Sequence, residues 1–193
     1  EGSSWNMTHG PFVKMGFAGG EQWMTGHMYF FNNTVFQEND NGAGGLGGDS
    51  RIIKHCITRN NILHVRKEER RSIAASSSHL ANDFDHDLTS AGFPDGHEKH
   101  GMHGAPRYIA GAGIDPKTRT GKFQLDPASQ GVGAGVVIPN FCEAIDGDRP
   151  DVGAHQSGTA EMQFGVKARF NPPGPREPGR ERHADKSGAQ DGR

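Results

Sequence analysis

The sequence has few of the residues that build large cores or cross-linked scaffolds. Among its 193 residues are two cysteines, two tryptophans and two tyrosines, and no apolar run approaches the ~20 residues that a membrane-spanning helix needs. Two cysteines exclude a disulfide framework, and neither Cys56 nor Cys142 lies in a CxxC pair. The formal net charge of −2 gives no basic footprint for nucleic acid. We therefore expect neither a membrane span nor a nucleic-acid partner.

Large aliphatic residues are also scarce, whereas glycine is abundant. Leu, Ile, Val and Phe make up about 17% of the chain, a fraction typical of disordered proteins when a large net charge accompanies it. Here the net charge is small and the chain has 29 glycines. This composition favours a folded domain with a thin core and many turns.

The chain divides into three parts by composition. Residues 1–26 are Gly-rich and irregular, and residues 171–193 are rich in Pro, Gly and charge, which predicts a flexible, exposed tail. Between them, residues 27–170 contain short β-branched and aromatic runs bounded by Asn, Asp or Gly, which are typical of strands. Within this middle part we expect a glycine-rich loop at 41–50, and either a short surface helix or an extended charged loop at 65–75.

Two segments of the middle part repeat each other. HMYFFNNTV begins at His27 and HCITRNNIL begins at His55, an offset of 28 residues, and each copy reads as a strand, an Asn-Asn pair and a second short strand. A less faithful third copy, HLANDFDHDL, covers residues 79–88. One strand-and-turn unit per 20–50 residues is typical of a solenoid. Asn suits the bends because it tolerates left-handed backbone, so we interpret the Asn pairs as architecture.

From His27 to Gly158 the chain resembles the C-terminal part of right-handed parallel β-helix proteins of the pectate-lyase-like superfamily, particularly secreted bacterial members. The resemblance is carried, in this order, by YFFNNTV, ITRNNIL, NDFDHDL, EKHGMHGAPRYI, FQLDPASQGVGAGVVIP and DRPDVGAHQSG. It implies an all-β fold of the β-helix (solenoid) type and a secreted, extracellular or periplasmic location.

The resemblance also bears on partners and function. Such proteins have many coils before the Asn-Asn coils, whereas this chain has room for about one, so we predict an incomplete solenoid. Another protein chain, or a second copy of this one, would then cover its exposed end. The implied function is that of a carbohydrate-active protein, either a polysaccharide lyase or another glycan-cleaving or glycan-binding protein. The alternative is a non-catalytic structural or adhesive subunit of an extracellular assembly.

Strict alternation along the first two copies predicts one outward face. Its residues in the first copy are His27, Tyr29 and Phe31, and in the second His55, Ile57 and Arg59. Aromatic faces bind sugar rings and a guanidinium pairs with a carboxylate, so this face is a candidate polysaccharide platform. The alternative is a wall covered by other segments or by a partner, since apolar residues also line buried faces.

Cleavage of an acidic polysaccharide by β-elimination requires neutralisation of the uronate carboxylate and a base to remove the adjacent proton. Arg59 or Lys54 would neutralise the carboxylate, with Ca²⁺ as an alternative. His55 or His27 would act as the base. The catalytic candidates are therefore His55, Arg59 and Lys54.

Two segments carry residues that are able to bind metal ions. Asp83, Asp85 and Asp87 alternate along NDFDHDL, and on a strand they would present oxygen ligands for Ca²⁺ from one face; the alternative is a solvated edge with polar bends. HEKHGMH spaces three histidines at intervals of three and would suit a transition metal if a turn gathered them; the alternative is an ordinary crossover. These histidines are His97, His100 and His103.

Overall fold

The computed structural model describes residues 13–15, 27–37, 46–48, 55–65, 71–74, 81–111, 121–142 and 148–159. They all belong to one unit, Glu1–Ala160; the second unit, Glu161–Arg193, and with it the predicted tail, lies outside the described residues. The described part contains no helix, so none there is long and apolar enough to cross a membrane. Its strands are β1 (Val13–Met15), β2 (Met28–Phe31), β3 (Thr34–Gln37), β4 (Leu46–Gly48), β5 (Cys56–Arg59), β6 (Ile62–Val65), β7 (Ile73–Ala74), β8 (Asp83–Phe84), β9 (Leu88–Thr89) and β10 (Met102–His103).

The strands form three sheets in which all neighbours are parallel. The strand orders are β1-β4-β7, β2-β5-β8 and β3-β6-β9-β10. Each strand from β1 to β6 therefore pairs with the strand three places further along the chain, and β10 pairs with β9. The described part is all-β, as the sequence predicts.

The register confirms the 28-residue alignment. Met28 pairs with Cys56 and Phe31 with Arg59 across β2 and β5, and Thr34 pairs with Ile62 across β3 and β6. The third copy follows with an offset shorter by two residues, since Thr58 pairs with Phe84 and Ile62 with Leu88.

Left-handed backbone marks equivalent corners of the three copies. Before the first strand of each copy (β2, β5 and β8) the corner residue has φ of 56° at His27, 50° at His55 and 62° at Ala81. After that strand the corner residue has φ of 55° at Asn32, 58° at Asn60 and 61° at His86. Each copy therefore turns the chain sharply on both sides of a four-residue extended segment.

The three sheets share one apolar core. Leu46 and Ile73 come from the first sheet, Cys56 and Phe84 from the second, and Leu63 from the third. In β5, for example, Cys56 and Thr58 are buried and Ile57 and Arg59 are not, because alternate residues point away from the core.

A second cluster covers the other face of the third sheet. Ile62 and Leu88 pack there against Tyr108, Leu125 and Val152 of the segments that follow β10. All four residues of β6 are consequently buried, whereas in β5 burial alternates. The outer face of the β2-β5-β8 sheet, in contrast, leaves Tyr29 exposed and Ile57 and Arg59 half-buried.

The segments that follow β10, which we call the closing segments, attach to the corner at Asn60. Its side-chain amide donates to the Val136 carbonyl at 2.8 Å and accepts from the Val136 N–H at 2.8 Å. A Cβ on Gly135 would lie 2.9 Å from Asn60 Oδ1, so only glycine fits this approach. The Gly153 N–H binds the Asn60 carbonyl at 2.6 Å.

Three strands lie where the sequence predicts none. β1 falls within the segment 1–26 predicted to be irregular, β4 within the predicted glycine-rich loop 41–50, and β7 within the predicted helix or charged loop 65–75. Parallel ladders need only backbone groups, and Leu46 and Ile73 bury one side chain each against the core. A strand anchored by a single side chain has no periodicity to detect.

Candidate functional site

The outer face of the β2-β5-β8 sheet carries side chains in the predicted alternation. In β5, Cys56 and Thr58 are fully buried, whereas Ile57 and Arg59 are half-buried on the other face. In β2, Tyr29 is 57% exposed. Within the part of the chain that the structure describes, the face is therefore accessible at Tyr29.

Three aromatic rings form a surface group on this face. Phe31 lies between Tyr29, at a centroid distance of 6.0 Å, and Phe141, at 5.5 Å and nearly perpendicular. Phe141 is 63% exposed. We call Tyr29, Phe31 and Phe141 the aromatic platform. Phe141 comes from a closing segment, so sequence spacing gives no signal for it.

His27 and His55 stack at the edge of the same sheet. Their ring centroids are 4.8 Å apart with an interplanar angle of 3°, and both side chains are exposed. The stack follows directly from the 28-residue register, because both residues occupy the same corner of successive copies. The structure thus brings together two of the predicted site residues.

Arg59 is engaged with its own scaffold. The guanidinium forms an ion pair with Asp83 on the next strand and donates to the backbone carbonyls of Thr58, at 2.6 Å, and Asp83, at 3.0 Å. These contacts offset its charge and fix its direction. Lys54, the other predicted cation, lies outside the described residues.

The structure does not gather the three aspartates of NDFDHDL at one point. Asp83 points outward from β8 to Arg59. Asp85 contacts His100, and Asp87 is fully buried against Asn61. The strand ends at Phe84 and the chain turns at His86, which sends Asp87 inward.

The three histidines of HEKHGMH are also separated. This segment runs alongside the third copy, with the Glu98 N–H bound to the Phe84 carbonyl and the Met102 N–H bound to the Asp87 carbonyl, both at 2.8 Å. The chain bends on the way, with left-handed backbone at Glu98 and the Gly101 N–H bound to the Glu98 carbonyl at 3.3 Å, and the three histidines contact different residues. His97 packs on Phe84, His100 binds Asp85, and His103 lies beside Thr89 and Phe93.

Asp85, from the predicted calcium set, and His100, from the predicted transition-metal set, are in contact. Asp85, His86 and His100 place a carboxylate oxygen and two imidazole nitrogens within 4.8 Å of one another. His86 and His100 stack at a centroid distance of 5.0 Å with an interplanar angle of 10°. His86 occupies the corner that Asn32 and Asn60 occupy in the earlier copies.

Burial and hydrogen bonding shift the pKa values of this group. Burial lowers the pKa of His86, and the positive charge of Arg59 lowers it further, against the opposing charge of Asp85. Burial alone would raise the pKa of Asp85, but hydrogen bonds from His100 and from the His86 backbone outweigh it and hold the pKa below its usual value. Near neutral pH the pair is therefore a neutral imidazole beside an ionised carboxylate.

A buried polar ladder lies just inside this corner. Asn33 donates to Asn61 Oδ1 at 2.8 Å, Asn61 donates to Asp87 Oδ1 at 2.8 Å, and the Asp87 N–H binds Glu98 Oε2 at 3.1 Å. Burial raises the pKa of Asp87 to about 6. Burial together with the Asp87 charge raises the pKa of Glu98 to about 9. Below that pH Glu98 is protonated, which removes the repulsion between its negative charge and that of Asp87.

Comparison with protein-family models, with curated proteins and with solved structures gives no match to this chain.

Proposed function

We propose that the chain is part of a right-handed parallel β-helix of the pectate-lyase-like kind and that it binds glycan on the aromatic platform. Three observations support the solenoid: all-parallel pairing, repetition of strands in threes, and left-handed corners at equivalent positions. The glycan proposal rests on one observation, the exposed rings of Tyr29 and Phe141 on either side of Phe31. The resemblance of His27 to Gly158 to secreted β-helix proteins supports a secreted or periplasmic location.

The platform has the physical properties that sugar binding requires. A pyranose ring presents one apolar face of C–H groups and a polar rim, which match an aromatic face bordered by hydrogen-bonding side chains. The exposed imidazoles of His27 and His55 stand on the same sheet and supply such groups. Because Tyr29 and Phe31 lie on a hydrogen-bonded strand, their positions are fixed before the ligand arrives.

Binding is supported more directly than cleavage. The Arg59 guanidinium already pairs with Asp83 and has to leave that carboxylate to neutralise a uronate. Polysaccharide lyase chemistry by His55 and Arg59 is therefore a further step of the proposal. It is tested together with binding.

The experiment is affinity electrophoresis of the protein through gels that contain pectate, alginate, a glycosaminoglycan or a neutral polysaccharide. We expect at least one polysaccharide to retard the wild-type protein. The double variant Tyr29→Ala/Phe141→Ala should lose about 5- to 150-fold in affinity, since each of its two stacking contacts is worth roughly 0.5–1.5 kcal/mol. In parallel, unsaturated products are followed by ultraviolet absorbance with Ca²⁺ and with EDTA.

The matched control is Ile109→Ala. Ile109 is exposed to the same degree as Tyr29 but lies beside Tyr108, on a different segment. Equal loss in both variants, or no retardation by any polysaccharide, contradicts glycan binding at the platform.

A second candidate, a structural subunit that docks on another chain, is favoured by the first copy. Met28 and Phe30 of β2 are half-buried, whereas the equivalent Cys56 and Thr58 of β5 are completely buried. Among the described strands, β2 pairs on one side only, and an open strand edge is a surface on which another strand can pair. Native mass spectrometry tests this candidate: a stable dimer or complex supports it, and a monomer at micromolar concentration contradicts it.

A further inference from the structure

We propose that Asp85, His86 and His100 form a binding site for a divalent transition-metal ion of the Zn²⁺ type. Among the described residues this is the one group of three metal-ligating side chains whose ligand atoms lie within 4.8 Å of one another. The proposal is independent of glycan binding, because none of the three belongs to the aromatic platform.

The separations fit a tetrahedral ion after small movements. Two ligand atoms about 2.1 Å from such an ion lie roughly 3.4 Å apart. Asp85 Oδ2 is 2.8 Å from His100 Nδ1 and 3.9 Å from His86 Nε2. Shifts of about 0.5 Å bring both pairs to the required distance. The imidazole rings of His86 and His100, which are stacked with an interplanar angle of 10°, have to rotate for their in-plane lone pairs to converge on one ion. The ion would then replace the proton that now joins Asp85 to His100.

The carboxylate is already held in the orientation that the site needs. Asp85 Oδ1 accepts the backbone N–H of His86 at 2.9 Å and that of His100 at 2.7 Å. These bonds leave Oδ2 for the ion. They also tie both histidine backbones to one carboxylate, although His100 follows Asp85 by fifteen residues. Hydrogen bonds that orient metal ligands in this way strengthen binding.

The donor set selects the class of ion. Two imidazole nitrogens and one carboxylate oxygen suit Zn²⁺, Co²⁺ or Ni²⁺ and not Ca²⁺, which takes six to eight oxygens. Three protein ligands leave the fourth tetrahedral position open. The His100 side chain is 67% exposed, so that position faces water.

The positive charge closest in influence to the site is partly compensated. The Arg59 guanidinium, a cation that acts on His86, forms an ion pair with Asp83 that offsets its charge.

The test is calorimetric titration of the full chain, free of any histidine tag and stripped with EDTA, with Zn²⁺. We expect one ion per chain, and loss of more than about 100-fold in affinity in His100→Gln and in Asp85→Asn, because loss of an orienting contact alone costs 10–100-fold. The matched controls are His97→Gln and His103→Gln, which alter the same segment at positions outside the group and should keep the wild-type affinity.

A second readout identifies the ligands without a substitution. In long-range ¹H–¹⁵N spectra of the histidine rings, Zn²⁺ should shift the nitrogens of His86 and His100 and leave those of His97 and His103 in place. Absence of stoichiometric Zn²⁺ binding, equal losses in the control variants, or unchanged His86 and His100 nitrogens at saturating Zn²⁺ would each overturn the site.

Discussion

Asn61 and Asp87 form one rung of a buried ladder. The Asn61 side chain and backbone N–H both donate to Asp87 Oδ1 at 2.8 Å. Asn33 makes the same two contacts with Asn61 Oδ1, at 2.8 and 3.0 Å. Repetition of this pattern between successive copies fixes the register at the corner, because a slip of one residue breaks every rung.

The ladder predicts a graded loss of stability. Asn61→Ala removes a buried amide that donates to Asp87 and to the Phe30 carbonyl and accepts twice from Asn33. At about 1 kcal/mol for each bond, and more for groups left without a partner, we expect a loss of about 3–5 kcal/mol in the free energy of unfolding by urea. Asn33→Ala, in the half-buried first copy, should lose less. Equal losses in the two variants would contradict the ladder as a buried network.

Glu98 predicts an unusual dependence of stability on pH. Burial and the charge of Asp87 raise its pKa from 4.5 to about 9, so the folded state keeps a proton that the unfolded state releases above about pH 4.5. Its stabilising contribution is complete below pH 4.5 and is lost as pH rises toward 9. We expect the free energy of unfolding to fall by up to roughly 4 kcal/mol from pH 5 to pH 8, measured with EDTA present.

Glu98→Gln tests the origin of that slope. A Gln amide cannot ionise and is able to donate a hydrogen bond to the buried Asp87 carboxylate, so the curve should become flatter and stability at pH 8 should increase. Asp95→Asn, which neutralises an exposed carboxyl of the same segment, should leave the wild-type slope. Asp87, with a pKa raised to about 6, keeps part of the slope below that pH; a slope that survives between pH 6 and pH 8 in Glu98→Gln assigns the proton to another group.

The sequence predicts the pairing of the first two copies but not the strands β1, β4 and β7, and the difference lies in how many side chains of a strand share one face. The pairing of β2 with β5 follows from similar four-residue strands flanked by identical Asn pairs. β4, which is Leu46 followed by two glycines, pairs through its backbone and offers no pattern. Local propensity is informative only where several side chains of one strand share a face.

The metal group could not be predicted for a related reason. His100 meets Asp85 only because the segment after β9 docks on the third copy through backbone hydrogen bonds such as that from the Glu98 N–H to the Phe84 carbonyl. The spacing of three within HEKHGMH predicts a local cluster, but in the fold the three histidines contact different residues, Phe84, Asp85 and Thr89. Phe141 joins the platform through tertiary packing in the same way.

Left-handed backbone at Ala81 predicts a stabilising substitution. An L-residue with φ of 62° costs roughly 1–2 kcal/mol relative to its preferred conformations, whereas glycine adopts this φ freely at a smaller entropic cost. Ala81 is exposed, so the change removes little packing. We expect Ala81→Gly to raise the free energy of unfolding by about 0.5–1 kcal/mol. Ala110→Gly, at an exposed turn position with ordinary negative φ, should lower it; a decrease in both variants would contradict the corner.

Gly153 predicts that the closing segment depends on close approach to the third sheet. A Cβ there would lie 2.6 Å from Ile62 Cδ1 and 2.7 Å from Thr34 Oγ1, at φ of +100°. Gly153→Ala therefore combines backbone strain with overpacking, and we expect a loss of about 3 kcal/mol or more. Gly111→Ala separates the two causes, since Gly111 has φ of +75° with no atom within 4 Å of the added Cβ, and it should cost about 1 kcal/mol.

Hydrogen exchange locates the effect of Gly153→Ala. The amides of Gly135 and Val152, which bind the Pro150 and Gly131 carbonyls, should lose protection before those of β5. Uniform loss of protection across β5 and these amides would instead show that the closing segment and the sheets unfold as one cooperative unit.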